Sequence, residues 1–298
     1  MQNILPTLEN ILLKQNSVTF TVLNPDTSDA YAGTPIEIAS ETYIYRSYKA
    51  WSDLAELLHC KMRTPEKTET HLVKLTLTKL KTDSFHTDSK DSEKYGIASH
   101  FAQIHKMEEP AFFYYYQQAL NNVKVENRAD ILNLGVNRAD EFEVIKNSLD
   151  TNKYEKLKLT GIDHSKTAIA YAEHLFQEDN VTFHSADIND INSLNLGQFD
   201  LLISIGTLQS PSINFKPFFM KLVQEYLKKD SAIILGFPNS RWIGGEMVYG
   251  AKAPNYAMSE MSLVLSDIIF CKKYLQQKKY RVTITGKHYL FLTATKIR

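Results

Sequence analysis

A short apolar run, Ile131, Leu132 and Leu134, stops at Gly135 and gives way to Asp140, Glu141 and Glu143. Such a run suits a strand covered on both faces. A glycine then lets the backbone turn sharply and approach a ligand, and acids are favoured in the first turn of a helix. Strand, tight turn and helix start thus fall within Ala129 to Glu143, and units of the same kind follow. Strands are expected at Ile131–Gly135, Leu157–Asp163, Val181–His184, Leu201–Ile205 and Ala232–Phe237, with helices Asp140–Leu149, Thr167–Phe176 and Phe215–Leu227 between them. This alternation implies parallel strands joined by right-handed crossovers, a doubly wound α/β sheet. A long helix from about Ser259 to Gln277 follows. The last two strands, Tyr280–Thr285 and Tyr289–Thr295, are separated only by Gly286, Lys287 and His288. So short a turn cannot return the chain for parallel pairing, so these strands are antiparallel and the sheet has seven strands.

Upstream the pattern differs. Residues 1–15 place Ile4, Leu8, Ile11 and Leu12 on one helical face, and Ser17–Leu23 alternates as a strand. Asn24–Pro35 reads as a loop, Glu41–Tyr48 as a strand, and a helix follows through Trp51, Leu54, Leu57 and Leu58. His71–Lys81 alternates again. Residues 1–81 are therefore expected to form a small α+β accessory module, 82–94 a polar linker, and 95–298 the main domain. From Tyr95 the spacing of Ile97, Phe101 and Ile104 predicts a helix, and Pro110 opens the next one. Its aromatics, Phe112 to Tyr116, are expected to be core.

Bulk composition narrows the function classes. The 298-residue chain carries 34 Lys and Arg against 34 Asp and Glu, so nothing in its net charge draws it to nucleic acid or anionic membrane. No secretion signal and no membrane span are read, and a soluble cytoplasmic protein is expected. Cys60 and Cys271 are expected as buried thiols. His100 and His105 lie five apart, which does not aim two ligands at one metal, and no metal site is expected.

Ligands of doubly wound sheets bind beyond the carboxyl ends of the strands. Here those ends carry Gly135, then Asp163, then Asp187. A glycine turn can approach a charged group, and a carboxylate can accept from both ribose hydroxyls. A single acid at a strand end is equally a helix N-cap. Two after successive strands, behind a glycine turn, favour a nucleoside.

Residues from about Tyr95 to Arg298 resemble the class I S-adenosylmethionine-dependent methyltransferases. Ile131 to Ala139 looks like that family's first motif, Thr160 to Ser165 like its ribose-binding strand end, Ala186-Asp187-Ile188 like its adenine-contacting segment, and Phe199 to Ile205 like its fourth strand. The terminal hairpin matches its last two strands. The resemblance implies S-adenosyl-L-methionine as cofactor, held by Asn133, Gly135, Val136, Asn137, Asp163, His164, Asp187, Ile188 and Ser204. It also shows departures. The family's first motif usually begins with an acid where this chain has Asn133, and carries glycines where this chain has Asn137 and Ala139. Asparagine tolerates positive φ best among non-glycine residues, and Asn133 accepts a hydrogen bond from an ammonium without supplying charge. A nicotinamide site would need G-x-G-x-x-G, of which one glycine is present.

On the acceptor side, Gly206 to Pro211 lacks the Asn/Asp-Pro-Pro-Tyr sequence of amide and exocyclic-amine methylators, and no Pro-Cys nucleophile follows strand four. The connection Phe237–Gly250 is longer than the usual ~2–6 residues and reads as a binding loop. Within it Asn239, Arg241, Trp242 and Tyr249 are the acceptor candidates: Arg241 for a carboxylate or phosphate, the aromatics for stacking. His184 and His288 are the histidines nearest this edge and are read mainly as structural. The reading is a methyltransferase acting on a small-molecule acceptor, with RNA or protein acceptors and a homodimer left open. Its rival is a non-catalytic subunit that binds a partner through residues 1–81. Cofactor binding with product formation separates the two.

Overall fold

The computed structural model describes residues 1–81, 95–250 and 261–297. The expected linker, 82–94, lies outside the described residues. Two compact units emerge: residues 1–81 with 242–248, and residues 95–241 with 249–250 and 261–297.

The first unit begins with α1 (Ile4–Lys14), β1 (Ser17–Leu23), the ribbon β2 (Pro35–Ile38) and β3 (Glu41–Ile44), and α2 (Tyr48–Leu57). It continues with β4 (Cys60–Met62), β5 (Glu66–Lys67) and β6 (Leu72–Lys79). β6 is the centre of an antiparallel sheet, with β1 on one side and β4 and β5 on the other. Its alternation puts Val73, Leu75 and Leu77 into a core with Leu8, Leu12, Val18, Trp51 and Leu54, as a period of two requires. Two expectations change here. The strand expected to reach Tyr48 stops at Ile44, because Ser47 accepts from Ala50 N–H and caps α2. β2, β4 and β5 were not foreseen; each has four residues or fewer, too short to show a period.

The second unit holds α3 (Pro110–Val123), β7 (Asp130–Leu134), α4 (Asp140–Ser148), α5 (Thr151–Tyr154), β8 (Lys158–Asp163), α6 (Lys166–Leu175), β9 (Val181–Ser185) and β10 (Phe199–Ile205). Then come α7 (Phe215–Lys221), β11 (Leu227–Pro238), α8 (Ser262–Gln277), β14 (Tyr280–Gly286) and β15 (Tyr289–Lys296); between β11 and α8 the chain forms β12 (Ser240–Ile243) and β13 (Glu246–Tyr249), whose residues 242–248 group with the first unit. The seven-stranded sheet runs β14-β15-β11-β10-β7-β8-β9. β7 to β11 pair in parallel, and β15 is antiparallel to both β11 and β14. The strand order reverses between β7 and β10, the switch point where such sheets bind ligands. One hydrophobic core covers each face. Pro110 opens α3, whose Phe112 and Tyr116 pack edge-on or tilted against Phe291 of β15.

Three corrections follow. The helix expected from Tyr95 is instead a set of turns with 3-10 segments at His100–Gln103 and Lys106–Glu108. Side chains take three of its carbonyls, Asn137 Nδ2 donating to Tyr95 O and Arg138 to Ala102 O and Ile104 O, while Gly96, Ser99 and Phe101 O accept from N–H groups three residues on, as in a 3-10 turn. The helix expected to Leu227 leaves α geometry at Leu222, passes a π turn, and Leu227 opens β11. The expected loop 237–250 contains the hairpin β12–β13, turning at Gly244 and Gly245 with φ of +55° and +83°. The long helix is described from Ser262; residues 259 and 260 lie outside the described set.

Candidate functional site

β7 delivers the chain into a turn with three left-handed residues, Gly135 (φ +75°), Asn137 (φ +45°) and Ala139 (φ +64°). Gly135 and Val136 N–H donate to Ile162 O at 2.8 and 3.1 Å, which ties the turn to the end of β8. A Cβ on Gly135 would stand 2.8 Å from Thr207 Cβ, so the segment after β10 closes directly over it. Asn137 N–H donates to Asp163 Oδ2 at 3.0 Å. The other carboxylate oxygen accepts from Ser165 N–H at 2.9 Å, with His164 Nδ1 3.5 Å away. Asp163 is only 6% exposed, so its charge is held by backbone donors at the strand end, where acceptance from ligand hydroxyls would follow naturally. His164 is exposed and meets the Tyr95 ring edge-on at 5.9 Å.

Asp187 follows β9 and caps the 3-10 turn Ile188–Leu194, accepting from Asn189 N–H and Nδ2 at 2.9 and 3.0 Å. Ala186 N–H donates to Asp163 O at 2.9 Å, which joins the second and third strand ends. Val136 and Ile188 are buried and apolar. Ser204 is buried within β10, and its hydroxyl donates to Leu134 O across to β7. Asn133 is buried one residue before the strand end, its Nδ2 3.5 Å from Glu141 Oε2.

Several residues join this edge that sequence reasoning did not select. Burial pushes the Tyr95 hydroxyl pKa up, with Tyr289 and Asp163 adding to the shift. Burial also raises the Glu141 carboxyl, against the opposing pull of Lys106. For Lys106 burial acts downward, but Tyr289, Glu141 and Asp140 turn the net shift upward. Tyr289 opens β15, and a Cβ on Gly206, just past β10, would lie 3.7 Å from its hydroxyl. Glu141 had a readable signal: it shares a helical face with Val144 and Ile145, the buried stripe of α4.

A family model described as "Methyltransferase domain" matches residues 117–283, more than half of the chain. The chain belongs to this methyltransferase family. Its class is the S-adenosyl-L-methionine-dependent one. Comparison with the curated proteins found no match. Solved structures similar to it include the plantazolicin methyltransferase BpumL with a monoazolic desmethylPZN analog and SAH (14% identity, 65% of this chain and 88% of that one, TM-score 0.46). A precorrin-6y C5,15-methyltransferase from Geobacter metallireducens GS-15 matches at 12% identity (62% and 88% covered, TM-score 0.42). A complex between the Haloferax volcanii Trm112 methyltransferase activator and a putative methyltransferase matches at 11% (64% and 92%, TM-score 0.43).

The turn and donor set of the methyltransferase suit a sulfonium nucleoside: a backbone with no room for a Cβ at Gly135, and a buried carboxylate at the end of the next strand. Of the acceptor candidates, Asn239 is buried just past β11. Its N–H donates to His288 O at 2.8 Å and its Nδ2 to Lys287 O at 3.2 Å, fixing it to the terminal hairpin. Arg241 is half-buried on β12, and Tyr249 is exposed with its hydroxyl on Met261 Sδ at 2.9 Å. Trp242 is half-buried and groups with the first unit, in which Glu246 also pairs with Lys61 at 2.7 Å. His184 sits on β9, opposite Ile162 of β8. No described helix is long and apolar enough to cross a membrane.

Proposed function

We propose that this methyltransferase moves a methyl group from S-adenosyl-L-methionine to a small-molecule acceptor by in-line displacement. The observation that carries this reading is the Asp163 carboxylate, buried at the end of β8 and joined to the first turn through Asn137 N–H. In this reading Asp163 accepts from the ribose hydroxyls, Asp187 and Ile188 meet the adenine, and Gly135 to Asn137 give the close backbone approach. Asn133 and His164 border the same edge. The bound donor supplies an already activated methyl, so the chain's own residues mainly hold, align and exclude water. Asn239, Arg241, Trp242 and Tyr249 are the acceptor residues proposed, Arg241 for an anionic group on it. A formal net charge of +0 favours a small acceptor over nucleic acid, and the cytoplasm is the compartment proposed.

Calorimetric titration of the full chain with S-adenosylmethionine and S-adenosylhomocysteine tests the reading. Micromolar binding is expected, weakened at least about a hundredfold by Asp163→Ala, since two charge-assisted hydrogen bonds of roughly 1.5–3 kcal/mol each are lost. Unchanged affinity in a folded variant would remove Asp163 from the site. Absence of binding to the wild-type protein would remove the donor.

A further inference from the structure

The methyl donor ends in an amino acid, an ammonium and a carboxylate attached to one carbon. A site that grips this end as well as the nucleoside needs one group of each charge. Asn133, nearest the turn, carries neither. Its side chain points to one that does: Asn133 Nδ2 lies 3.5 Å from Glu141 Oε2. Glu141 is 5% exposed and stands in the buried stripe of α4, where an acid is expensive unless something uses it. Asn133 and its own backbone N–H are the hydrogen-bond partners of this carboxylate among the described residues, fewer than its four lone-pair sites admit.

A cation lies in the same neighbourhood. Lys106, in the 3-10 turn before α3, holds its ammonium over the Phe101 and Phe112 rings, 5.9 Å from each centroid. It is coupled to Glu141 electrostatically, yet among the described residues the two form no direct ion pair. The other groups facing Glu141 are already committed. Asp140 pairs with Arg138 at 3.2 Å, Arg138 also donates to the Ala102 and Ile104 carbonyls, and Tyr116 donates to the Glu141 backbone carbonyl at 3.2 Å.

We propose that Glu141 and Lys106 receive the amino-acid end of the methyl donor, Glu141 accepting from its ammonium and Lys106 pairing with its carboxylate. The proposal rests on the donor reading above and adds two binding residues to it. In this chain the negative charge sits on the helix after the turn, and Asn133 orients it. A ligand zwitterion inserted between two separated, opposite charges satisfies both.

The test uses two ligands that share a nucleoside: S-adenosylhomocysteine, and 5′-methylthioadenosine, which lacks the amino-acid end. Glu141→Gln and Lys106→Met are each expected to weaken S-adenosylhomocysteine by roughly ten- to a hundredfold, the range of one charge-assisted hydrogen bond. Methylthioadenosine should stay within about twofold by the same argument. Asp163→Ala should weaken both ligands. The double variant Asn133→Asp/Glu141→Gln returns a carboxylate to within a few ångströms of its old place and should recover most of the lost affinity. Unchanged S-adenosylhomocysteine binding in Glu141→Gln, or equal loss of both ligands, would overturn the proposal while leaving the donor reading intact. Wild-type protein that binds neither ligand would instead defeat the donor reading. Should Glu141→Gln fail to fold, Lys106→Met, on a half-buried turn, decides by the same two-ligand comparison.

Discussion

At the scale of single residues the first turn is built from three left-handed positions occupied by three different side chains. Gly135 adopts its φ freely, Asn137 is the tolerated substitute, and Ala139 carries a strain of about 1–2 kcal/mol. Ala139 has a physical offset: its methyl is fully buried in the core on the α3 side of the sheet. Gly135 has no such freedom to change. An alanine there meets both the φ penalty and the Thr207 side chain, so Gly135→Ala should destabilise by roughly 2–4 kcal/mol in chemical denaturation. Thr207→Gly added to it should return the overpacking part and leave the backbone part. Additive losses in the double-mutant cycle would show that the two residues do not meet. Positive φ at Asn137 was legible, because residue type limits which backbones are accessible. Glu141 was read by its charge near a helix start, and its phase with Val144 and Ile145, which buries it, was passed over.

Elements were legible where their period was long enough to express itself. Four of the five parallel strands and the terminal pair were found within two residues of their ends, since apolar runs bounded by turns leave few alternatives; the fifth, β11, opens at Leu227, five residues before the expected Ala232. The segment after Tyr95 failed this test for a physical reason: Asn137 and Arg138, distant in sequence, claim the Tyr95, Ala102 and Ile104 carbonyls, and local spacing cannot report that. The β12–β13 hairpin was legible in principle. Paired glycines between Arg241-Trp242-Ile243 and Glu246-Met247-Val248 mark a tight hairpin turn, but the polar and aromatic content was read as an irregular loop. The two glycines differ in surroundings. A Cβ on Gly244 would stand 2.9 Å from Lys81 N, whereas nothing lies within 4 Å of one on Gly245. Gly245→Ala should therefore cost only its backbone strain, about 1–2 kcal/mol. Gly244→Ala should cost about 1–3 kcal/mol more, the range of overpacking. Equal denaturation midpoints for the two variants would mean that the hairpin tip is not seated against Lys81.

For the whole molecule, the parallel pairing of five strands followed from the alternation of strand and helix, and the antiparallel terminal pair from one turn too short for parallel pairing; the order of the strands in the sheet did not follow. The grouping of residues 242–248 with the N-terminal unit did not follow, because periodicity says nothing about which distant segment a hairpin joins. The two cysteines give each unit its own reporter. Cys60 lies in the core of the first unit and Cys271 in a core of the second, and both are buried free thiols. Burial raises both pKa values, Cys271 by far the more, while Lys79 partly offsets the shift at Cys60. The thiolate is the reactive form, so alkylation of either needs its core to open first. In native buffer at pH 8, an uncharged alkylating reagent should label each at least about a hundredfold more slowly than in denaturant, which corresponds to an opening cost of roughly 3 kcal/mol or more. Mass spectrometry of peptides labelled through a denaturant series then reads the opening of each core separately. Labelling of Cys271 at the denatured rate in native buffer would contradict its place between α8 and the sheet, and the same result at Cys60 would contradict the packing of β4 against α1 and α2.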